Sequence, residues 1–221
     1  MNKDIWRDCW LSLDAAGTLI GPNPSVGALY REALIPYGIE ADEGEIEKGF
    51  RQAYERVGRT VGVGEARPYW RQIVDQALAP WLDQADGDAV FENLWNVFAK
   101  GSSWRLTDDF WLEALKALRG AGVGLVLSSN NDSRLRSVLR EMDLQKFFDH
   151  LFISDEFGYE KPDPRFFRYV RNRLGVLPER LLHCGDDLRR DGGAKEDGWE
   201  FLPFRGRETI DLLLARYGAR P

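Results

Sequence analysis

"LSLDAAGTLI", residues 11–20, delivers one carboxylate, Asp14, at the end of an apolar run of strand length, followed by two alanines, Gly17 and Thr18. An acid in that position has two readings. It can close a strand and turn the chain. Alternatively, it is a nucleophile presented at the carboxyl edge of a parallel sheet, where open α/β folds place their ligands. The remaining strand ends decide between them.

Working outward, short apolar runs recur at 123–127, 150–153, 181–184 and 199–204, beside the first at 9–13. Amphipathic helical patterns separate most of them. "TDDFWLEALKALRGAG" (107–122) opens on a capping Thr107, carries apolar residues at helical spacing and ends on glycines. Further helices are expected at 132–142, 164–174 and 189–197. The alternation predicts an α/β doubly wound parallel sheet with a Rossmann-like core. Between the first two strands lie roughly eighty residues with no strand pattern, far beyond an ordinary crossover. Four helical segments, at 25–37, 42–57, 68–79 and 88–100, are read there as an inserted all-helical domain. The expected division is residues 1–20 and 102–221 for the core and 21–101 for the insert, with links near 21–24 and 101–103.

Composition excludes several classes. The 221 residues are 43% hydrophobic and 30% charged, with 8 Trp and 12 Phe, which suits a packed core rather than a disordered chain. A net charge of -6 and no basic stripe argue against a nucleic-acid partner. "MNKDIWRDCW" has charges on both sides of its few apolar residues, unlike a signal peptide or membrane span, so a cytoplasmic protein without a membrane partner is expected. Cys9 and Cys184 each sit in an apolar run, as buried reduced thiols would. Composition sets no oligomeric state.

The strand ends carry the chemistry. "LVLSSNNDSRL" (125–135) places Ser129 and Asn130 at a strand tip, with Asp132 as a helix cap. In "SDEFGYEKPDPRFF" (154–167), Lys161 precedes two prolines that stiffen its loop. "LLHCGDDLRRDGGAKEDGW" (181–199) sets Asp186, Asp187 and Asp191 in a loop entered through Gly185. Three carboxylates so close repel one another unless a cation offsets them, and hard oxygens suit Mg²⁺. Together these groups predict attack by Asp14 on phosphorus, with Ser129 and Lys161 holding the phosphoryl oxygens beside Mg²⁺. The expected partner is a small phosphorylated substrate.

Four segments in order, "DAAGT", "SSN", "YEKPDP" and "GDDLRRD", resemble the four motifs of the haloacid dehalogenase (HAD) superfamily. The insert falls where that superfamily carries its helical C1 cap. More narrowly, "GFRQAYERVG" and "DAAGTL" are similar to the group around haloacid dehalogenase-like hydrolase domain-containing protein 3. The resemblance implies a hydrolase, with Asp14, Asp186 and the Ala16 main-chain carbonyl as Mg²⁺ ligands, and Asp187 or Asp191 acting through water or by positioning Lys161.

One position departs from the pattern. The superfamily's phosphatases read Asp-x-Asp-x-Thr, and the second Asp is their general acid and base; here that residue is Ala16. A main-chain carbonyl does not depend on its side chain, so metal binding is expected to survive while proton transfer is weakened. The superfamily's 2-haloacid dehalogenases carry Tyr there and lack the acidic loop. Its phosphonoacetaldehyde hydrolases have Ala there and form a Schiff base through a cap lysine, for which Lys48 is the candidate, with Lys100 at the cap exit. A phosphate-binding protein without turnover is the third alternative. Arg51, Tyr54 and Trp70 hold cap positions from which they could line the cleft. His150 and His183 receive no role, and Gly122–Gly124 precedes a strand and so is not a dinucleotide loop.

Overall fold

A computed structural model describes residues 9–57 and 63–220. The charge pattern at residues 1–8 and the last glycine of "GFRQAYERVG" lie outside the described residues. Among the described residues seven strands follow in chain order: β1 (Trp10–Leu13), β2 (Ile20–Pro22), β3 (Trp104–Leu106), β4 (Gly124–Ser129), β5 (His150–Ile153), β6 (Leu181–Gly185) and β7 (Glu200–Pro203). Five form one sheet in the order β5-β4-β1-β6-β7, every neighbour parallel. Leu13 stands level with Leu127 on one side and Cys184 on the other. The chain winds outward from β1 to β4 and β5, then crosses to β6 and β7, so β1 marks the switch point where such sheets bind ligands.

Strand alternation divides the core. Leu11, Leu13, Leu125, Leu127, Leu182 and Cys184 face α5 (Trp111–Gly120), α6 (Arg134–Glu141) and α9 (Arg207–Tyr217), numbered along the chain with the helices below. Val126 and Leu181 face α8 (Pro164–Leu174) and a 3₁₀ segment, Asp191–Asp197. That segment was expected to be a helix from 189; its two glycines and i→i+3 bonding leave it 3₁₀. A single turn, α7 (Ser154–Phe157), follows β5. Thr107 does not cap α5. The helix begins four residues later, and the Thr107 hydroxyl instead donates to the Thr18 carbonyl, tying the end of β3 to the loop beyond β1.

The remaining helices, α1 (Val26–Leu34), α2 (Glu43–Arg56), α3 (Ala66–Ala77) and α4 (Gly87–Val97), share an apolar cluster distinct from the two sheet clusters. Their starts follow capping rules. Ser25 accepts from Ala28 N at 3.0 Å, Asp42 from Glu45 N at 2.9 Å, and Asp86 from Ala89 N at 3.1 Å. Buried Leu34, Ile46, Ile73 and Leu94 draw the four together. Two strands that the apolar pattern did not suggest, β2 and β3, pair antiparallel where the chain passes into and out of this helical set. They are three residues each and include Gly21 and Pro22, so pairing rather than propensity makes them strands. Asn23 N donates to Ser103 O at 2.8 Å, holding the two passages side by side.

Candidate active site

Asp14 leaves β1 with its amide donating to Cys184 O at 2.9 Å, which fixes its carboxylate at the sheet edge. Lys161 meets it from the loop after β5. That loop is held by Asn130, which donates to Lys161 O at 2.7 Å and accepts from Lys161 N at 2.8 Å. The buried ammonium then donates to Asp14 Oδ1 at 2.7 Å, Asp191 Oδ1 at 2.6 Å and Ser128 O at 2.9 Å, which uses all three of its protons. Burial alone would depress the Lys161 pKa, but Asp14 and Asp191 more than reverse it and the group is held above its ordinary value. Burial raises Asp14 to about 6 against the pull of Lys161. Burial also acts upward on Asp191, yet Lys161 and His183 carry it well below the usual carboxylate range. Two neighbouring carboxylates thus differ because two cationic or donor groups converge on one of them.

The acidic cluster sorts into distinct tasks. Oxygen atoms of Asp14, Asp186 and Asp191 lie within 4.8 Å of one another. Asp191 is engaged by the protein: Oδ1 meets Lys161 and His183, and Oδ2 accepts from Asp187 N at 3.0 Å. Asp186 opens to the cleft and accepts from Thr18 Oγ1 at 3.1 Å; partial burial raises its carboxyl pKa. Asp187 turns away from the other carboxylates, accepting from Arg189 N and Arg190 N at 2.9 Å each and pairing with Arg190. It caps its own turn, so the expectation of Asp187 at the metal is corrected. Gly17 adopts φ +95, and a Cβ there would stand 2.5 Å from Asp186 Oδ2. Only glycine lets the turn after Asp14 approach the second carboxylate so closely. For Mg²⁺ the donor set fits: Asp14 and Asp186 offer hard oxygens at one rim, and Ala16 lines the same cleft.

A cleft of about 300 Å³ opens over Asp14, Ser129, Asn130 and Lys161, roofed by the helical set. Tyr54 and Trp70 line it. Arg51 does not. Its side chain is 72% exposed and lies 3.7 Å from Glu47, because one residue of helix rotates it away from the face that carries Phe50 into the cleft. Lys48 and Lys100 are both exposed and neither lines the cavity, so neither cap lysine presents an amine to it. Asp132 does more than start a helix. Ser133 takes the cap position, while Asp132 accepts from Trp70 Nε1 at 3.0 Å and from Arg134 Nη2 at 2.8 Å, joining α3 to the strand tip. Burial pushes its carboxyl up, but Arg134 outweighs burial and lowers it.

His183 was given no role, yet it is buried with Nδ1 2.9 Å from Ser12 Oγ and Nε2 2.9 Å from Asp191 Oδ1. Burial first, then Lys161, depress its pKa. The signal for it existed. Ser12 and His183 are polar residues inside otherwise apolar strands, and Ser12 shares Asp14's face by alternation. Cys9 and Cys184 are free thiols, the second buried.

Fold and site together define a class. The chain belongs to the haloacid dehalogenase-like hydrolases, whose family model matches residues 11–196. Among relatives, haloacid dehalogenase-like hydrolase domain-containing protein 3 of Bos taurus is 29% identical over 211 residues, covering 91% of this chain and 83% of that protein. HAD-hydrolase YfnB of Bacillus subtilis, solved bound to magnesium, superposes with a TM-score of 0.78 at 19% identity, over 95% of this chain and 98% of that one. L-2-haloacid dehalogenase of Xanthobacter autotrophicus with covalently bound chloropropionic acid gives 0.67 at 18% identity, over 96% and 84%. No helix among the described residues is long and apolar enough to cross a membrane.

Proposed function

We propose that the chain is a Mg²⁺-dependent phosphatase-type hydrolase of a small phosphorylated metabolite, slowed by Ala16. The observation that carries this reading is Asp14, buried at the sheet edge, bonded to Lys161 at 2.7 Å and facing a cleft shared with Ser129. An oxygen of Asp14 attacks phosphorus and the bond to the leaving oxygen breaks, its electron pair going to the leaving group. The resulting aspartyl phosphate is then cleaved by water. Lys161 and Ser129 take up charge on the phosphoryl oxygens. Asp191, held by His183 and the Asp187 amide, positions Lys161 rather than touching substrate. Asp14, Asp186 and the Ala16 carbonyl are the groups that would hold Mg²⁺, which would supply positive charge to offset the carboxylates and the incoming phosphate.

Ala16 donates no proton, so an alkoxide leaves poorly while an aryloxide or carboxylate leaves well. Turnover is therefore expected to rise steeply as leaving-group pKa falls, read with a series of aryl, acyl and alkyl phosphates in Mg²⁺. A flat dependence would mean another acid serves the site. The same residue favours a second reading, a phosphate-binding protein without turnover. Phosphate bound with no ester cleaved, even among activated aryl esters, would establish that reading instead.

A further inference from the structure

The wall of the cleft opposite Asp14 says what the rest of the substrate resembles. Phe50 and Tyr54 stack with centroids 5.9 Å apart and 24° between planes, and Tyr54 and Trp70 with 6.2 Å and 24°. All three line the cleft, so successive ring planes run nearly parallel along one side. Among the described residues, two guanidinium groups line the cleft, and both are already committed. Arg134 lies 3.5 Å over the Trp95 ring, donates to Asp132 through Nε and Nη2 at 2.8 Å each, and donates to Trp95 O through Nη1 at 3.1 Å. Arg190 lies 5.0 Å from the Tyr54 ring centroid and pairs with Asp187 at 2.9 Å. Lys161, bound to Asp14 and Asp191, is the one lining lysine among the described residues.

Among these described residues, a second anionic group on a substrate would have to break an Arg–Asp pair to find a cation. A flat apolar body instead extends the ring row by offset stacking and gives up little hydration. The volume lies in the range that buries small organic ligands. We infer that the substrate is a phosphate monoester whose body is a planar aromatic group without a second anion, seated against Phe50, Tyr54 and Trp70. This rests on the phosphoryl-transfer reading of Asp14.

Titration calorimetry of the intact chain with Mg²⁺ tests it, using benzylphosphonate, methylphosphonate and 3-phosphonopropionate. Benzylphosphonate is expected to bind about ten-fold or more tighter than methylphosphonate, and 3-phosphonopropionate no tighter than methylphosphonate. Tyr54→Ala is expected to shrink the benzyl advantage to about three-fold or less; should that variant not fold, the ratios on the unaltered chain decide alone. Binding without regard to the ring, or tightest binding by the phosphonopropionate, overturns the inference and leaves the phosphoryl reading standing. No binding by any of the three, together with no turnover of any phosphate monoester, overturns both.

Discussion

Ala16 sits exposed in the turn after β1 and lines the cleft two positions beyond Asp14, so a longer side chain there has solvent and substrate before it rather than core. Ala16→Asp is expected to raise alkyl phosphate turnover ten-fold or more, within the about 10²–10⁴ that a positioned acid contributes, while leaving the backbone carbonyl in place. Asp14→Asn should abolish turnover in either background, since an amide does not attack phosphorus. An Ala16→Asp chain that folds and binds Mg²⁺ but gains nothing on any alkyl phosphate would overturn the phosphatase reading. Asp14, Ser129 and Asp186 were legible because each stands at the end of an apolar run, and Lys161 because prolines stiffen the loop that carries it, patterns written locally. His183 was not, because its partners Ser12 and Asp191 are 171 and 8 residues away and only the sheet brings them together. His183→Phe keeps the ring volume but strands the Ser12 hydroxyl and removes one donor from Asp191. A loss of about 1–3 kcal/mol in denaturant unfolding is expected; an unchanged midpoint would mean that the chain of bonds contributes nothing.

At the scale of elements, the parallel sheet and the four inserted helices follow from periodicity and capping, whereas their boundaries move by one to four residues and the β2–β3 ribbon escapes pattern altogether. Short strands of glycine and proline are made by partners, and partners are not visible along a chain. The same limit hid the tie between α3 and the tip of β4. Asp132 is buried, and its carboxylate holds Trp70 Nε1 on one element and the Arg134 guanidinium on another. Removing it strands a cation whose side chain is 15% exposed. Asp132→Ala is therefore expected to cost about 3–5 kcal/mol, the range for breaking a buried pair from one side. Asp132→Ala combined with Arg134→Met should recover much of that loss, because the pair as a whole repays its desolvation poorly. Equal destabilisation by the single and double changes, measured by urea unfolding, would show that the Trp70 contact rather than the stranded charge carries the effect.

For the whole molecule, pH, cation and stability are linked through Asp14. Its carboxyl ordinarily titrates near 3.8 but is raised to about 6 by burial, and Asp186 is raised in the same sense. Between those two values the folded chain keeps a proton that the unfolded chain has released, so the contribution of Asp14 to metal-free stability falls as pH rises across the window. Above it, the fold carries a dry carboxylate at a cost. A divalent cation at Asp14 and Asp186 offsets that cost, but below about pH 6 it must first displace the proton, and its apparent affinity declines there. Asp191, held low by Lys161 and His183 against its own burial, stays ionised throughout and does not take part. The thermal shift on adding Mg²⁺ is therefore expected to be smallest at about pH 5, to grow through about pH 6 and to level off above about pH 7. At a concentration 100 times Kd the plateau corresponds to about 2.7 kcal/mol. Scanning calorimetry with and without Mg²⁺ across that range reads it directly. A shift that is constant with pH would place the cation away from Asp14, and no shift at any pH would remove the metal from the mechanism.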